Sequence, residues 1–235
     1  MKDVSISHFG AHIGQEVDTY IELNFNNINL YEPQSIHYKA LEKKYSEISN
    51  IYIFNKGLGN INEKKELIID DNEGQSASLL NPTLHKTYFP NITFNKTEIV
   101  DVIKYDDTNN HSNFLVLDLQ GYELEALKGS KERLDDSVKY IICEIFREEL
   151  YEDSPTFKDI DEYLNKFGFT RADTVWSTGS LYKYGDGFYI KKTELNFLNR
   201  LKIYIKNIVN DSMTIFSLKI LFLRIKYKFT KSSRS

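Results

Sequence analysis

Short alternating runs of apolar and polar residues, separated by stretches of helical spacing, continue along the chain to about residue 192. Val4-Ser5-Ile6-Ser7-His8-Phe9 has period two and predicts a strand. The glycine turn Gly10-Ala11-His12-Ile13-Gly14-Gln15 follows, then a helix to about Leu23. Residues 29–31 predict a second strand ending at Glu32, and residues 36–45 a second helix. Residues 51–55 predict a third strand, and residues 65–70 an inserted one. Residues 76–90 read as a loop containing His85, and residues 98–105 as extended chain. Phe114-Leu115-Val116-Leu117 is a compact apolar strand ending at Asp118. A turn at Gly121 leads to a short helix closed by Gly129. Residues 140–145 predict a buried strand, and residues 156–167 a helix stopped by Gly168. Residues 169–175 and 187–191 predict a final antiparallel pair, with Asp186 in the Gly-Asp-Gly turn ahead of it. Strands alternating with helices imply an α/β fold with a mostly parallel sheet covered on both faces.

Composition narrows this picture. Hydrophobic residues make up 41% of the 235, with 16 Tyr and 15 Phe, which is enough for one sizeable aromatic core. The net charge of −4 carries no nucleic-acid signature. The single cysteine, Cys143, cannot form an internal disulfide, which fits a reducing, cytoplasmic setting. No long apolar run precedes the first motif, so no signal peptide is expected. No Cys/His spacing demands a metal; Asp118, Glu144 and Asp186 are oxygen donors that Mg²⁺ could use, but nothing in their spacing requires it.

Charge is unevenly spread. Residues 194–235 hold nine Lys/Arg and two Asp/Glu, a net of +7, against −11 for the rest. Two helical stripes run through this tail, at Leu198, Leu201, Ile205 and Ile208 and at Ile215, Leu218, Phe222, Ile225 and Phe229. Lys219, Arg224, Lys226 and Lys228 interrupt the second stripe, which argues against a membrane span. A domain at residues 1–192 with a basic amphipathic helical tail at 193–235 is the expected organisation. The tail suits either an anionic membrane surface, making the protein peripheral at the inner face, or packing on the body or on a second copy in a homodimer.

The chemistry starts at the glycine turn. Strand, glycine turn, helix, strand and terminal carboxylate form a nucleoside-binding half-site. Glycines admit close backbone approach, and Glu32 can accept hydrogen bonds from two ribose hydroxyls. A dinucleotide site adds a central glycine for the pyrophosphate, and the turn here lacks it. That shifts the expectation from an NAD-dependent dehydrogenase or epimerase toward S-adenosylmethionine. A tight turn without a ligand is the plain structural alternative.

Asp118-Leu119-Gln120-Gly121-Tyr122-Glu123-Leu124-Glu125-Ala126-Leu127-Lys128-Gly129 resembles the signature of FkbM-family S-adenosylmethionine-dependent methyltransferases. The turn at Gly10–Gln15, Tyr31-Glu32-Pro33, Gly74-Gln75-Ser76-Ala77-Ser78, Glu144, Glu149-Leu150-Tyr151 and Tyr184-Gly185-Asp186-Gly187-Phe188-Tyr189 fall in the family's order. The resemblance covers roughly residues 4–192. It implies a class I (Rossmann-like) methyltransferase fold, with a seven-stranded sheet whose last strand is antiparallel. It also implies O-methylation, in many members of sugars on surface glycans, lipopolysaccharide or secondary metabolites. His8 stands where the family pattern has an acidic residue that helps hold the methionine end of the cofactor. The pattern's lysine near Val116 and tryptophan near Tyr184 are also missing.

The candidates follow. His8, Gly10, Ala11, His12, Gly14, Gln15, Glu32, Ser76, Asp118 and Gln120 are the expected cofactor contacts. A sugar hydroxyl has a high pKa, so a general base should help, and His85, Asp118, Glu144 and Asp186 are the candidates. Each has a plainer role: an exposed loop histidine, a helix-capping aspartate, a glutamate paired with a residue such as Arg147, and a turn-forming aspartate. The expected activity is a cytoplasmic O-methyltransferase acting on a glycan or lipid-linked saccharide. A natural-product methyltransferase and a non-catalytic cofactor-binding scaffold are the competing readings.

Overall fold

The computed structural model describes residues 4–177, 183–196 and 199. The predicted amphipathic helices of the tail lie outside these residues. Seven strands form one sheet: β1 (Ile6–Phe9), β2 (Ile28–Tyr31), β3 (Ile51–Phe54), β7 (Phe114–Leu117), β8 (Tyr140–Phe146), β9 (Phe169–Trp176) and β10 (Tyr184–Lys191). Their order is β3-β2-β1-β7-β8-β10-β9, and only β10 runs against the others. The seven-stranded class I arrangement with an antiparallel last strand is therefore the observed fold.

Alternation along each strand divides the core in two. Ile6, Ile28, Leu30, Phe114, Val116, Ile142 and Phe188 face one side, where α1 (Val17–Glu22) and α2 (Ser35–Tyr45) bring Val17, Tyr20, Leu41 and Tyr45. Phe9, Tyr31, Leu115, Leu117, Ile141, Cys143 and Ile145 face the other. There α4 (Glu123–Lys128), α5 (Lys131–Asp136) and α6 (Phe157–Lys166) supply Ala126, Leu127, Leu134, Ile160 and Leu164. A sheet buried on both faces needs strands that are apolar at nearly every position, and β7 is apolar throughout.

A second sheet, ordered β4-β6-β5, interrupts the α/β pattern with β4 (Gly57–Leu58), β5 (Glu63–Asp70) and β6 (Phe94–Ile103). Leu67, Ile69, Val100 and Val102 form its own small core. The inserted and extended segments expected from sequence are thus partners in one ladder. Two short helices escaped the sequence pattern: α3 (Leu84–Tyr88), which carries His85, and α5. Strand β10 begins at Tyr184, so Asp186 sits in a ladder opposite Glu144 and Val175, not in a turn. The two glycines flanking Asp186 misled the sequence reading. A Cβ at Gly185 would lie 2.3 Å from the Val175 carbonyl, so that glycine serves close strand approach.

The small sheet meets the body where Gly129 ends α4. A Cβ on Gly129 would stand 1.9 Å from the carbonyl oxygen of Gly59. Gly129→Ala should therefore destabilise the protein by about 1–3 kcal/mol through forced separation of the two sheets. Urea unfolding measures this, and an unchanged midpoint would contradict the packing.

Candidate active site

Strands β1 and β7 are neighbours, and their connections leave in opposite directions. This is the switch point of the sheet, where open α/β folds bind ligands beyond the carboxyl ends of the strands. The loop after β1 is the glycine turn, and the loop after β7 runs from Asp118 to Tyr122. Gly10 has φ +82°, and a Cβ on it would lie 2.0 Å from the Asp118 carbonyl. Only glycine lets the two loops come this close.

A cavity of 180 Å³ opens at this point. Its walls include His8, Gly10, His12, Gln15, Glu32, Asp118 and Gln120 from the expected set. They also include Glu16, Gln34, Gln75 and an apolar side from the small sheet at Leu58, Leu67 and Leu79. Glu32 is 5% exposed and stands just past β2. Its carboxylate accepts from the His12 N–H at 2.8 Å and from the Gln34 N–H at 2.7 Å. Burial raises its pKa to about 7. The Glu32 carboxylate thus braces the glycine turn and keeps further lone pairs toward the cavity.

Not every expected contact reaches the cavity. Ala11 is buried in the core beside α1, and Gly14 packs on Leu41 and Tyr45. His12 lines the cavity, but its ring leans outward, 4.0 Å from the His37 ring and tilted 52° to it, with Nε2 2.9 Å from the Glu73 carbonyl oxygen. Ser76 belongs to a second cavity of 320 Å³, together with His85, Glu144, Phe89, Phe146 and Tyr184. Asp186 lines neither cavity.

Gln120 forms the partition between the two cavities and lines both. It holds an uncommon left-handed backbone, φ +52°, and its carbonyl accepts from the Ser78 hydroxyl at 2.7 Å. Its Nε2 donates to Asp118 Oδ1 at 2.8 Å and to Glu144 Oε2 at 2.9 Å. Its Oε1 accepts from the Tyr151 hydroxyl at 2.9 Å. The Asp118 and Glu144 carboxyls thus converge on one donor, and in this buried setting the charge of one opposes ionisation of the other. Burial, then the charge of Asp118, pushes Glu144 well above the usual carboxylate range, so Glu144 carries a proton. Glu144 therefore shares Gln120 with Asp118, where sequence suggested a residue such as Arg147.

Behind the partition, Glu123 accepts from the Leu119 N–H at 2.8 Å and the Gly121 N–H at 3.3 Å. Burial lifts its pKa to about 8. Asp186 is likewise raised to about 8 by burial and by the charges of Asp118 and Glu16. His85 is 4% exposed and ringed by Phe89, Phe94 and Tyr151, so it is not the exposed loop histidine that sequence allowed. Burial lowers its pKa, which keeps the imidazole neutral. Sequence reading missed Glu16, Gln34, Tyr151 and Glu123. Glu16 lies one residue beyond the glycine turn and Glu123 inside the quoted signature, so position alone marked them for attention. Tyr151 likewise stands in the quoted Glu149-Leu150-Tyr151, with no role attached to it, and Gln34 gave no such signal.

A switch-point cavity with a glycine turn and a strand-end carboxylate defines a class I methyltransferase scaffold. The chain belongs to the FkbM methyltransferase family, whose domain model matches residues 8–171. The methyl donor of this family is S-adenosylmethionine. A solved FkbM methyltransferase from Methylobacillus flagellatus KT is similar at 16% identity and a TM-score of 0.56. The match covers 80% of this chain and 44% of that one, so this chain spans less than half of that protein. Magnesium protoporphyrin IX methyltransferase from Synechocystis PCC 6803, solved with S-adenosylmethionine, is similar at 10% identity and a TM-score of 0.48, over 80% of this chain and 70% of that one. No curated protein sequence matches this one.

The buried acids make stability depend on pH. Glu16, Glu32, Glu123 and Asp186 have folded pKa values of about 7 to 8, against about 4 when unfolded. The folded state therefore binds more protons between these limits, and stability falls as pH rises through them. Asp101, held at about 2 by Lys64 and Lys56, titrates well below that window. The ligand-free protein should lose several degrees of Tm between about pH 5 and pH 8 in thermal melts; a Tm that rises over this interval would reject the acid cluster as described.

Proposed function

We propose that the protein is an S-adenosylmethionine-dependent O-methyltransferase acting on a sugar hydroxyl of a cell-surface glycan or lipid-linked saccharide. The observation that carries this reading is the pair of cavities meeting at Gln120. The first fits the donor on its own chemistry. It is lined by three carboxylates, Glu16, Glu32 and Asp118, and by no Lys or Arg among the described residues. Its wall includes Gln34, whose Oε1 is a buried acceptor with no partner among the described residues. Acids raised by burial and lacking counter-ions suit a cationic ligand. The Glu32 carboxylate suits a ribose diol, and Leu58, Leu67 and Leu79 suit a base ring.

The second cavity fits an acceptor sugar. Phe89, Phe146 and Tyr184 supply aromatic surface for the C–H face of a ring, and Asn72, Ser76, His85 and Glu144 supply polar groups for its hydroxyls. At 320 Å³ it is at the small end of ligand pockets, which span roughly 300–1,000 Å³, so one sugar unit suits it better than a long chain. The basic pattern of residues 194–235 supports presentation of the acceptor at an anionic membrane face, with the enzyme in the cytoplasm. Among the described residues, no helix is long and apolar enough to cross a membrane.

Bound S-adenosylmethionine supplies an electrophilic methyl on a sulfonium, whose leaving thioether is neutral. The protein's task is then alignment and proton removal. Gln120 fixes the partition across which the methyl passes, and fixed geometry supplies much of the rate. Glu144, once ionised, can take the acceptor's proton, with Asp118 beside it on the same Gln120 amide. Two experiments test the reading. Mass spectrometry of surface glycans from cells with and without the protein should differ by one methyl on one sugar, and unchanged glycans would count against it. In vitro, Glu144→Gln should lower kcat by roughly 10²-fold while leaving donor affinity intact; an unaffected kcat would remove Glu144 from the proton path.

A further inference from the structure

The Gln120 amide has two unlike ends of nearly the same shape. One end donates and the other only accepts, so its partners decide which way it faces. Here Nε2 faces the carboxyls, 2.8 Å from Asp118 Oδ1 and 2.9 Å from Glu144 Oε2. The inverted amide would set Oε1 against them. That is repulsive when both are ionised, but a protonated Glu144 would donate to Oε1 and be held in the protonated state.

Tyr151 stands against this inversion. Its hydroxyl donates to Gln120 Oε1 at 2.9 Å and lies 3.2 Å from the Ser76 carbonyl oxygen. The side chain is fully buried, and burial pushes the phenol well above its usual range, so it keeps the proton it donates. The ring has little room to swing. The His85 ring centre lies 5.3 Å from its own, and a Cβ on Gly121 would stand 3.0 Å from its Cδ2. An antiparallel bridge to Pro82 fixes its backbone.

Glu144 needs this help because its other neighbours oppose its charge. It faces Asp118 beyond β7, Glu123 on α4 and Asp186 across β10. Across the second cavity it faces the neutral His85 and Tyr184, with Tyr151 behind Gln120. No Lys or Arg lines that cavity among the described residues. The Gln120 N–H is the contact that favours the carboxylate form.

We propose that Tyr151 is a positioning residue, whose hydroxyl holds the Gln120 amide with its N–H on Asp118 and Glu144. It touches neither donor nor acceptor and acts on the proton path through Gln120. The proposal deepens the reading of Glu144 as the base and rests on it for its catalytic consequence.

The orientation is measured on the full chain without donor or acceptor, by NMR titration of isotope-labelled glutamate carboxyl carbons. The Glu144 signal is assigned by its loss in Glu144→Gln. Tyr151→Phe should raise the Glu144 midpoint by about one pH unit, the scale of a lost hydrogen bond to the ionised form. An unchanged midpoint would overturn the proposal. Gln120→Met, which keeps the length and removes the amide, should raise the midpoint at least as far, and adding Tyr151→Phe should then change nothing. A further rise in the double variant would make the tyrosine act on Glu144 directly and overturn the proposal. No rise in Gln120→Met would overturn it too, even where Tyr151→Phe fails to fold. Failure of the base reading shows elsewhere, in an unaffected kcat of Glu144→Gln.

Discussion

The structure depends on one close approach: the backbone of Gly10 against the carbonyl of Asp118. Strands β1 and β7 lie side by side, so the loops leaving them compete for the same space. Without a side chain at Gly10 they nest, and the next residues of each loop fan out around a shared opening. Glu32, from the end of β2, locks the arrangement by accepting the His12 N–H. The first cavity follows from this backbone contact more than from the side chains that line it.

The same approach places the acids. Asp118 follows β7 directly, Glu144 lies on the adjacent β8, and Asp186 faces Glu144 across β10. Three neighbouring strands thus bring carboxyls to one edge of the sheet. Like charges so close cannot all ionise in a buried setting, and their raised pKa values are the cost. The Gln120 amide relieves part of it by donating to two of them at once.

Much of this was legible in the sequence. Strand and helix periods gave the α/β order, because a sheet buried on both faces writes short apolar runs such as residues 114–117. The glycine turn and Glu32 were legible because backbone geometry demands particular residues there. Side-chain direction was not. His12 lies in the turn but points its ring at Glu73, since its left-handed backbone, φ 46°, rotates it outward. Ser76 and His85 line the second cavity, while Gly74, Gln75 and Ala77 of the same stretch line the first, a division the sequence does not write. Asp186 looked like a turn residue because its flanking glycines serve strand packing. Tyr151 stood in a quoted motif, but its role was not legible, because its hydroxyl meets Gln120 across 31 positions of chain.

The first cavity is walled by two parts with separate cores: the large sheet with its helices, and the small sheet inserted between β3 and β7. Polar ties join them at His12 with Glu73, Ser78 with Gln120, Ser35 with Glu98 and Asn60 with Glu125, the first two beside the opening. Whatever fills the cavity touches both walls and so acts as mortar between them. Ligand binding is then also an assembly event, in which occupancy couples the fluctuations of the inserted sheet to those of the main body.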